Sequence, residues 1–79
     1  MPKYYFDLVD GDGEHLDEDG VECENLGAAI ALARRTIFEI ARDVFRDTDQ
    51  TELRMRIRDE TGEPVVLKVT LETSAPAAC

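Results

Sequence analysis

The chain has 79 residues, of which 43% are hydrophobic and 34% charged, a composition typical of one small folded domain and not of a disordered chain. Its formal net charge of −9 repels phosphate, which disfavours nonspecific binding to nucleic acid. The first apolar run is too short to cross a membrane, and no signal peptide is evident. We therefore expect a cytoplasmic protein.

The first part of the chain predicts a hairpin. Residues 4–9 alternate like a strand, with Tyr4, Phe6 and Leu8 on one face and Tyr5, Asp7 and Val9 on the other. Asp and Gly at 10–13 predict a turn, after which residues 14–17 return as a short strand. A second turn at 17–20 leads to a stub of extended chain at 21–24.

A helix is the strongest prediction, and it begins after Asn25, a residue suited to cap a helix N-terminus. Its apolar residues recur at spacings of three and four, which indicates one buried stripe. Ala41 and Phe45 widen this stripe, and the periodicity breaks at 47–49. The repeating residues are Leu26, Ile30, Ala33, Ile37, Ile40 and Val44.

The last part predicts a second hairpin. Residues 53–58 alternate between inward apolar side chains and outward arginines, and residues 65–71 return after a turn at 59–62. The order is therefore ββαββ, an α+β domain with one helix on one face of an antiparallel sheet of four to five strands. We assign residues 1–73 to this single domain and expect a disordered tail at 74–79.

Three stretches together resemble a family of small uncharacterised bacterial proteins, over nearly the whole chain. They are MPKYYFDLVDGDG, LDEDGVECENLGAAIALARRTIFEIARD and LRMRIRDETGEPVVLKVTLE. The resemblance implies a small cytoplasmic bacterial domain and no activity, because the family is one of unknown function. The element order is also similar to that of the partner-binding antitoxin domains of toxin–antitoxin systems.

The acidic segment 7–20 is the first candidate site, because its DGDG resembles a calcium loop. With Gly13 at the sixth loop position the first position becomes Leu8, and with Gly11 there it becomes Phe6. Neither residue offers an oxygen ligand, so we interpret the segment as a solvated hairpin turn. Weak binding of a divalent cation by the clustered carboxylates is the remaining alternative.

Cys23 and His15 are the second candidate, since a thiolate and an imidazole could form a nucleophile or half a metal site. The chain has no second His and no C-x-x-C, so a structural zinc site lacks ligands. We expect Cys23 to be a small, partly buried filler just before the helix, and Cys23 and Cys79 to be unpaired in a reducing compartment.

Two surfaces remain as candidate interfaces. The outward arginines Arg54, Arg56 and Arg58 predict either a basic surface for nucleic acid or cross-strand pairs with Glu72 or Asp7, and we favour the pairs. Phe38 and Phe45 lie on one line of the helix and could continue past the sheet edge into a second subunit.

We therefore predict a non-enzymatic binding or assembly module, because no acid, base and nucleophile lie at a workable spacing. We expect no cofactor, no metal ion and no membrane contact; the partner is a protein, which includes a second copy of the chain in a homodimer. The alternative is a nucleic-acid-binding or antitoxin-like regulatory domain that uses the arginine face. The predicted interface residues are Tyr5, Val9, Phe38, Phe45, Arg54, Arg56, Arg58, Val66 and Lys68.

Overall fold

A computed structural model describes residues 1–75, and for residues 63 and 64 the backbone alone. The elements in chain order are β1 (Lys3–Asp10), β2 (Gly13–His15), β3 (Val21–Glu22), α1 (Leu26–Asp47), β4 (Glu52–Asp59) and β5 (Gly62–Thr70). The α+β class and the ββαββ order are confirmed. The extended stub before the helix forms a short additional strand, β3, which brings the sheet to five strands. Most of the predicted tail, residues 76–79, lies outside the described residues.

All strand pairs of the sheet are antiparallel, and the order across it is β2-β1-β4-β5. The long strands β1 and β4, one from each hairpin, therefore lie side by side in the middle of the sheet, although 41 residues separate them in the chain. β2 pairs with the end of β1, while β3 pairs with its start at Lys3 and Tyr4. One edge of the sheet is thus made of two short strands, and the other of the nine-residue strand β5.

Helix α1 begins and ends at side chains that satisfy its free backbone groups. The Asn25 side-chain oxygen accepts a hydrogen bond of 2.8 Å from the Ala28 amide, which confirms the predicted N-cap. At the other end, the amide and hydroxyl of Thr48 both donate to the Val44 carbonyl. Within the described residues, no helix is long and apolar enough to cross a membrane.

The core lies between α1 and the sheet, and its centre differs from the predicted stripe. The fully buried helix residues are Ala29, Ala33, Ile37 and Ala41, while Ile40 and other large members of the predicted stripe are only half-buried. Small alanines let the helix backbone approach the sheet closely, so the large residues become the flanks of the buried face. On the sheet side the core is formed by Leu53, Met55 and Ile57 of β4, as predicted.

Candidate functional site

The sheet face that turns away from α1, here called the open face, brings together most of the predicted interface residues. Tyr5 lies opposite Arg58, and Val9 lies opposite Arg54. On the other side of β4, Arg54 pairs with Lys68. The complete open face consists of Tyr5, Asp7, Val9, Arg54, Arg56, Arg58, Val66 and Lys68.

Asp7 is the exception on this face, because it has no exposed surface at all. Its carboxylate accepts hydrogen bonds from Arg58 Nε at 2.6 Å and Nη2 at 3.2 Å. It also accepts one of 3.0 Å from the amide of Asp17, and Arg56 Nη2 lies 3.8 Å away. A buried carboxylate is tolerated only when it is paired in this way, so Asp7 is a fixed structural anion of the open face.

The loop between β2 and β3, residues 16–20, covers Asp7. The Asp17 carboxylate accepts a hydrogen bond from the amide of Phe6, a residue between the two paired stretches of β1, and thus replaces a missing strand partner. The guanidinium of Arg58 donates to the Asp17 carbonyl. The loop turns at Gly20 with a φ of +75°, where an added Cβ would lie 2.8 Å from the Tyr5 ring. Glycine is therefore required there.

The two carboxyl groups of this cluster are held in their ionised form. Burial would raise the pKa of Asp7, but the hydrogen bonds from Arg58 and from the Asp17 amide outweigh it and lower the pKa below its ordinary value. At Asp17, burial and the nearby charge of Asp7 would likewise raise the pKa of the carboxyl group. The hydrogen bonds from the amides of Gly20 and Phe6 outweigh them, so the pKa of Asp17 is also lowered. Both groups therefore stabilise the fold in their charged state.

The remaining cations of the open face are also paired with carboxylates of the same chain. Glu52 contacts both Arg54, at 3.0 Å, and Lys68, at 3.3 Å. Arg56 Nη2 lies 2.8 Å from the Glu14 carboxylate. The open face is consequently a lattice of alternating charges, which leaves much less positive potential than its sequence of arginines indicates.

The cross-strand pairing that the sequence predicted for the arginines is confirmed at Asp7. The other acidic partners within the described residues are Glu52 and Glu14, and not Glu72 as predicted. Glu72 follows the end of β5, whereas Glu52 sits beside Arg54 and opposite Thr70 in the ladder. The register of the ladder therefore decides which acid each cation meets.

A second surface lies between α1 and the free edge of β5, and we call it the α1–β5 groove. Phe38 stands at its centre with 63% of its surface exposed, whereas Phe45 is half-buried at one end. Two adjoining hollows of about 320 and 300 Å³ flank the Phe38 ring. The groove is lined by Ile30, Arg34, Ile37, Phe38, Ala41, Arg42, Phe45, Val65, Leu67, Lys68, Val69, Thr70 and Leu71.

The carboxylates in the acidic turns accept hydrogen bonds from backbone amides of the same turns. Asp10 Oδ1 accepts from the Asp12 amide at 2.8 Å, and Asp17 Oδ1 accepts from the Asp19 amide at 3.1 Å. The other Asp10 oxygen faces His15 at 3.5 Å. Such turns are stabilised by these bonds without an ion. Among the side chains that the structure describes, no group of three His, Cys, Asp or Glu residues could hold a metal ion.

We predict that calcium finds no specific site in segment 7–20. A titration followed by amide chemical shifts is expected to give small, unsaturated changes at Asp10, Asp12 and Asp19, because the first ligand position holds no oxygen. Saturable binding in the micromolar range, localised to these three residues, would contradict the prediction.

Cys23 and His15 do not form a site. His15 lies opposite Leu8, whereas Cys23 follows the pairing of Glu22 with Lys3, and its amide donates to the Pro2 carbonyl. The two pairing positions on β1, Leu8 and Lys3, are five residue steps apart, a distance of about 17 Å along the strand. Cys23 is a core filler and is buried more deeply than the partial burial that the sequence predicted, and Cys79 lies outside the described residues.

The comparison with known families finds one match, which covers most of the chain. A family model described as "Domain of unknown function (DUF6894)" matches residues 3–72, from the start of β1 to just past β5. The chain belongs to this family. No curated protein and no solved structure matches this DUF6894 chain.

Proposed function

We propose that this DUF6894 domain is a non-enzymatic binding module of the bacterial cytoplasm, which acts by protein–protein contact through the α1–β5 groove. The observation that supports the proposal is Phe38, an aromatic side chain that is 63% exposed amid other apolar side chains. Removing a Phe side chain from water contributes about 1.5–3 kcal/mol, and exposed apolar patches in soluble domains commonly mark interaction sites.

The chemistry of the groove favours binding over catalysis. The described residues that line it include no carboxylate, imidazole or thiol, which are the groups that most often act as general acid, general base or nucleophile. Aromatic and arginine side chains together are instead the common anchors of protein interfaces.

The open face supports a second hypothesis less well. Its exposed Val66 and its cations could contact a second copy of the chain or, in the alternative function, nucleic acid. Both uses require that Arg54, Arg56 or Lys68 exchange a carboxylate of the same chain for a new partner. That exchange lowers the gain in free energy from each new contact.

The two surfaces are distinguished by a matched pair of variants. Phe38→Asp and Val66→Asp each place one carboxylate where an exposed apolar side chain stood, on opposite sides of the sheet. We expect tagged wild-type protein and Val66→Asp to retain the same partners from lysate of the source cells, and Phe38→Asp to lose them. Thermal melting of both variants checks that the fold is kept, and light scattering in reductant reports self-association.

Three results would contradict the proposal. Loss of partners in Val66→Asp but not in Phe38→Asp would move the interface to the open face. Salt-dependent binding of RNA or DNA that Arg56→Glu abolishes would support the nucleic-acid alternative. A wild-type protein that retains no partner and stays monomeric at high concentration would refute protein contact altogether.

A further inference from the structure

The rim of the α1–β5 groove is positively charged, although the chain is strongly acidic. Arg34 and Arg42 lie one turn before and one turn after Phe38 on the helix, while Lys68 lines the groove from β5 with its amine turned toward Glu52 on the open face. None of the described lining residues is acidic, in a chain that has 18 Asp and Glu residues. The groove therefore has the opposite charge to most of the molecule.

The helix cations of this rim are available to a partner. No carboxylate lies within 4.0 Å of Arg34 among the described residues, and the groove-lining Arg42 contacts only Asp43, at 3.6 Å, with both side chains largely exposed. An exposed pair of this kind contributes little free energy and exchanges partners readily. In this respect the two helix arginines differ from the arginines of the open face.

The free edge of β5 offers backbone groups beside the same groove. The Leu71 amide donates to the Thr51 carbonyl at 2.8 Å, which shows that odd-numbered residues of this strand face β4. Because consecutive residues of a strand face opposite edges, the amides and carbonyls of Val66, Lys68 and Thr70 point outward. No described residue pairs with them, so β5 can accept another strand.

From these features we infer that the partner is an extended segment of another protein, added as a strand to the edge of β5, which presents both apolar and acidic residues on its helix side. The inference rests on the proposed function and names the chemistry of its partner. A strand added about 4.8 Å from β5 has every second side chain on the helix side, where apolar residues contact Phe38, Leu67 and Val69. Acidic residues at other helix-side positions of the segment then reach Arg34 and Arg42.

A second copy of the chain fits this groove less well than an acidic segment does. Through two-fold pairing of β5 it would bring a second Arg34 and Arg42 to the same rim. Like charges on one rim oppose association, whereas an acidic segment meets both helix arginines favourably. Charge thus selects between two occupants that the apolar side chains alone would both accept.

Selection from a library of short random peptides displayed on phage tests this partner chemistry. We expect the enriched peptides to carry both apolar residues and Asp or Glu among the positions, two residues apart, that share one face of a strand, and to lose enrichment on Phe38→Asp. Synthetic versions of the enriched peptides are expected to bind the Arg34→Glu variant about fivefold more weakly than wild type, because the variant loses one charge pair at the rim. Arg35→Glu is the matched control, since this neighbouring exposed arginine does not line the groove, and its affinity is expected to stay within twofold of wild type.

Hydrogen exchange of the protein's amides, measured while a synthetic peptide is bound, tests whether the peptide adds as a strand to β5. Protection of Val66, Lys68 and Thr70 is expected, because strand addition hydrogen-bonds these amides. Enriched peptides without acidic residues, equal losses in Arg34→Glu and Arg35→Glu, or unprotected edge amides would overturn the inference. So would self-association that Phe38→Asp abolishes, since the occupant would then be a second copy.

The two proposals fail in different ways. If Phe38→Asp loses its cellular partners while the selected peptides lack acidic residues, the groove binds proteins and only the acidic strand is wrong. If Phe38→Asp keeps every cellular partner, the proposed function itself is wrong, whatever peptides the library yields.

Discussion

The Ile37→Asp variant is expected not to fold. Ile37 is 1% exposed at the middle of the buried helix face, where it packs against the β4 core. The substitution removes an apolar side chain and buries a carboxylate that has no cation beside it, a change that costs on the order of 5 kcal/mol or more. A domain of this length has a total stability of about 4–12 kcal/mol, and a small core places it toward the lower end, where this cost removes all or nearly all of it. Far-ultraviolet circular dichroism and a thermal melt measure the loss.

Glu39→Ala is the control on the same helix. Glu39 is exposed, and alanine has a slightly higher helix propensity, so the free energy of unfolding is expected to change by less than about 0.5 kcal/mol. Equal melting temperatures for Ile37→Asp and Glu39→Ala would show that the helix does not bury the face described here.

Asp7→Asn is expected to lower the free energy of unfolding by about 3 kcal/mol at pH 7. The change keeps the size of the side chain but removes the anion that Arg58 contacts at 2.6 Å, inside a cluster where Asp7 is fully buried. Because Arg58 is partly exposed, we expect a value at the lower end of the range for broken buried pairs. Chemical denaturation monitored by circular dichroism gives the number.

The same variant is expected to alter the dependence of stability on acid. Since the pKa of Asp7 is lower in the folded chain than in the unfolded chain, its charge stabilises the fold above the unfolded pKa of about 3.9. That contribution is lost as the pH falls from about 5 through the lowered folded value. Asp7→Asn should therefore be less stable near neutral pH and show a flatter decline in acid, while Asp17 retains its own part of the decline.

Glu14→Gln is the matched control for the buried pair. Glu14 also contacts an arginine, at 2.8 Å from Arg56, but its side chain is 54% exposed. A surface pair of this kind contributes at most about 1 kcal/mol. A loss in Glu14→Gln as large as that in Asp7→Asn would mean that burial does not set the strength of these pairs.

The local pattern of the sequence predicts the elements well, because each depends on neighbours in the chain. The spacing of Ile30, Ala33 and Ile37 predicts the helix, and Asn25 marks its start, as the structure confirms. Strict alternation in β4 likewise predicts which side chains face the core. What the pattern misses is the depth of each helix residue, since this depends on how closely the alanines let the sheet approach.

Contacts between distant residues could not be predicted in the same way. The sequence places Asp7 on the open face, yet its burial depends on a loop ten residues later and on Arg58, 51 residues away. An acidic residue in the middle of an apolar strand, in a chain with a strand of alternating arginines, was the available signal for this pair. The strand order and the α1–β5 groove depend on the packing of the whole sheet, and no local signal carries them.

The unequal edges of the sheet limit how large an assembly can become. One edge consists of β2 and β3, which have three and two residues, and the Asp17 carboxylate fills the place between them. The other edge is the nine-residue strand β5. Stacking of chains into a fibre requires two edges that can both accept a strand, and here only one is long enough. Each copy of the domain can therefore accept a single added strand, and growth of the sheet stops there.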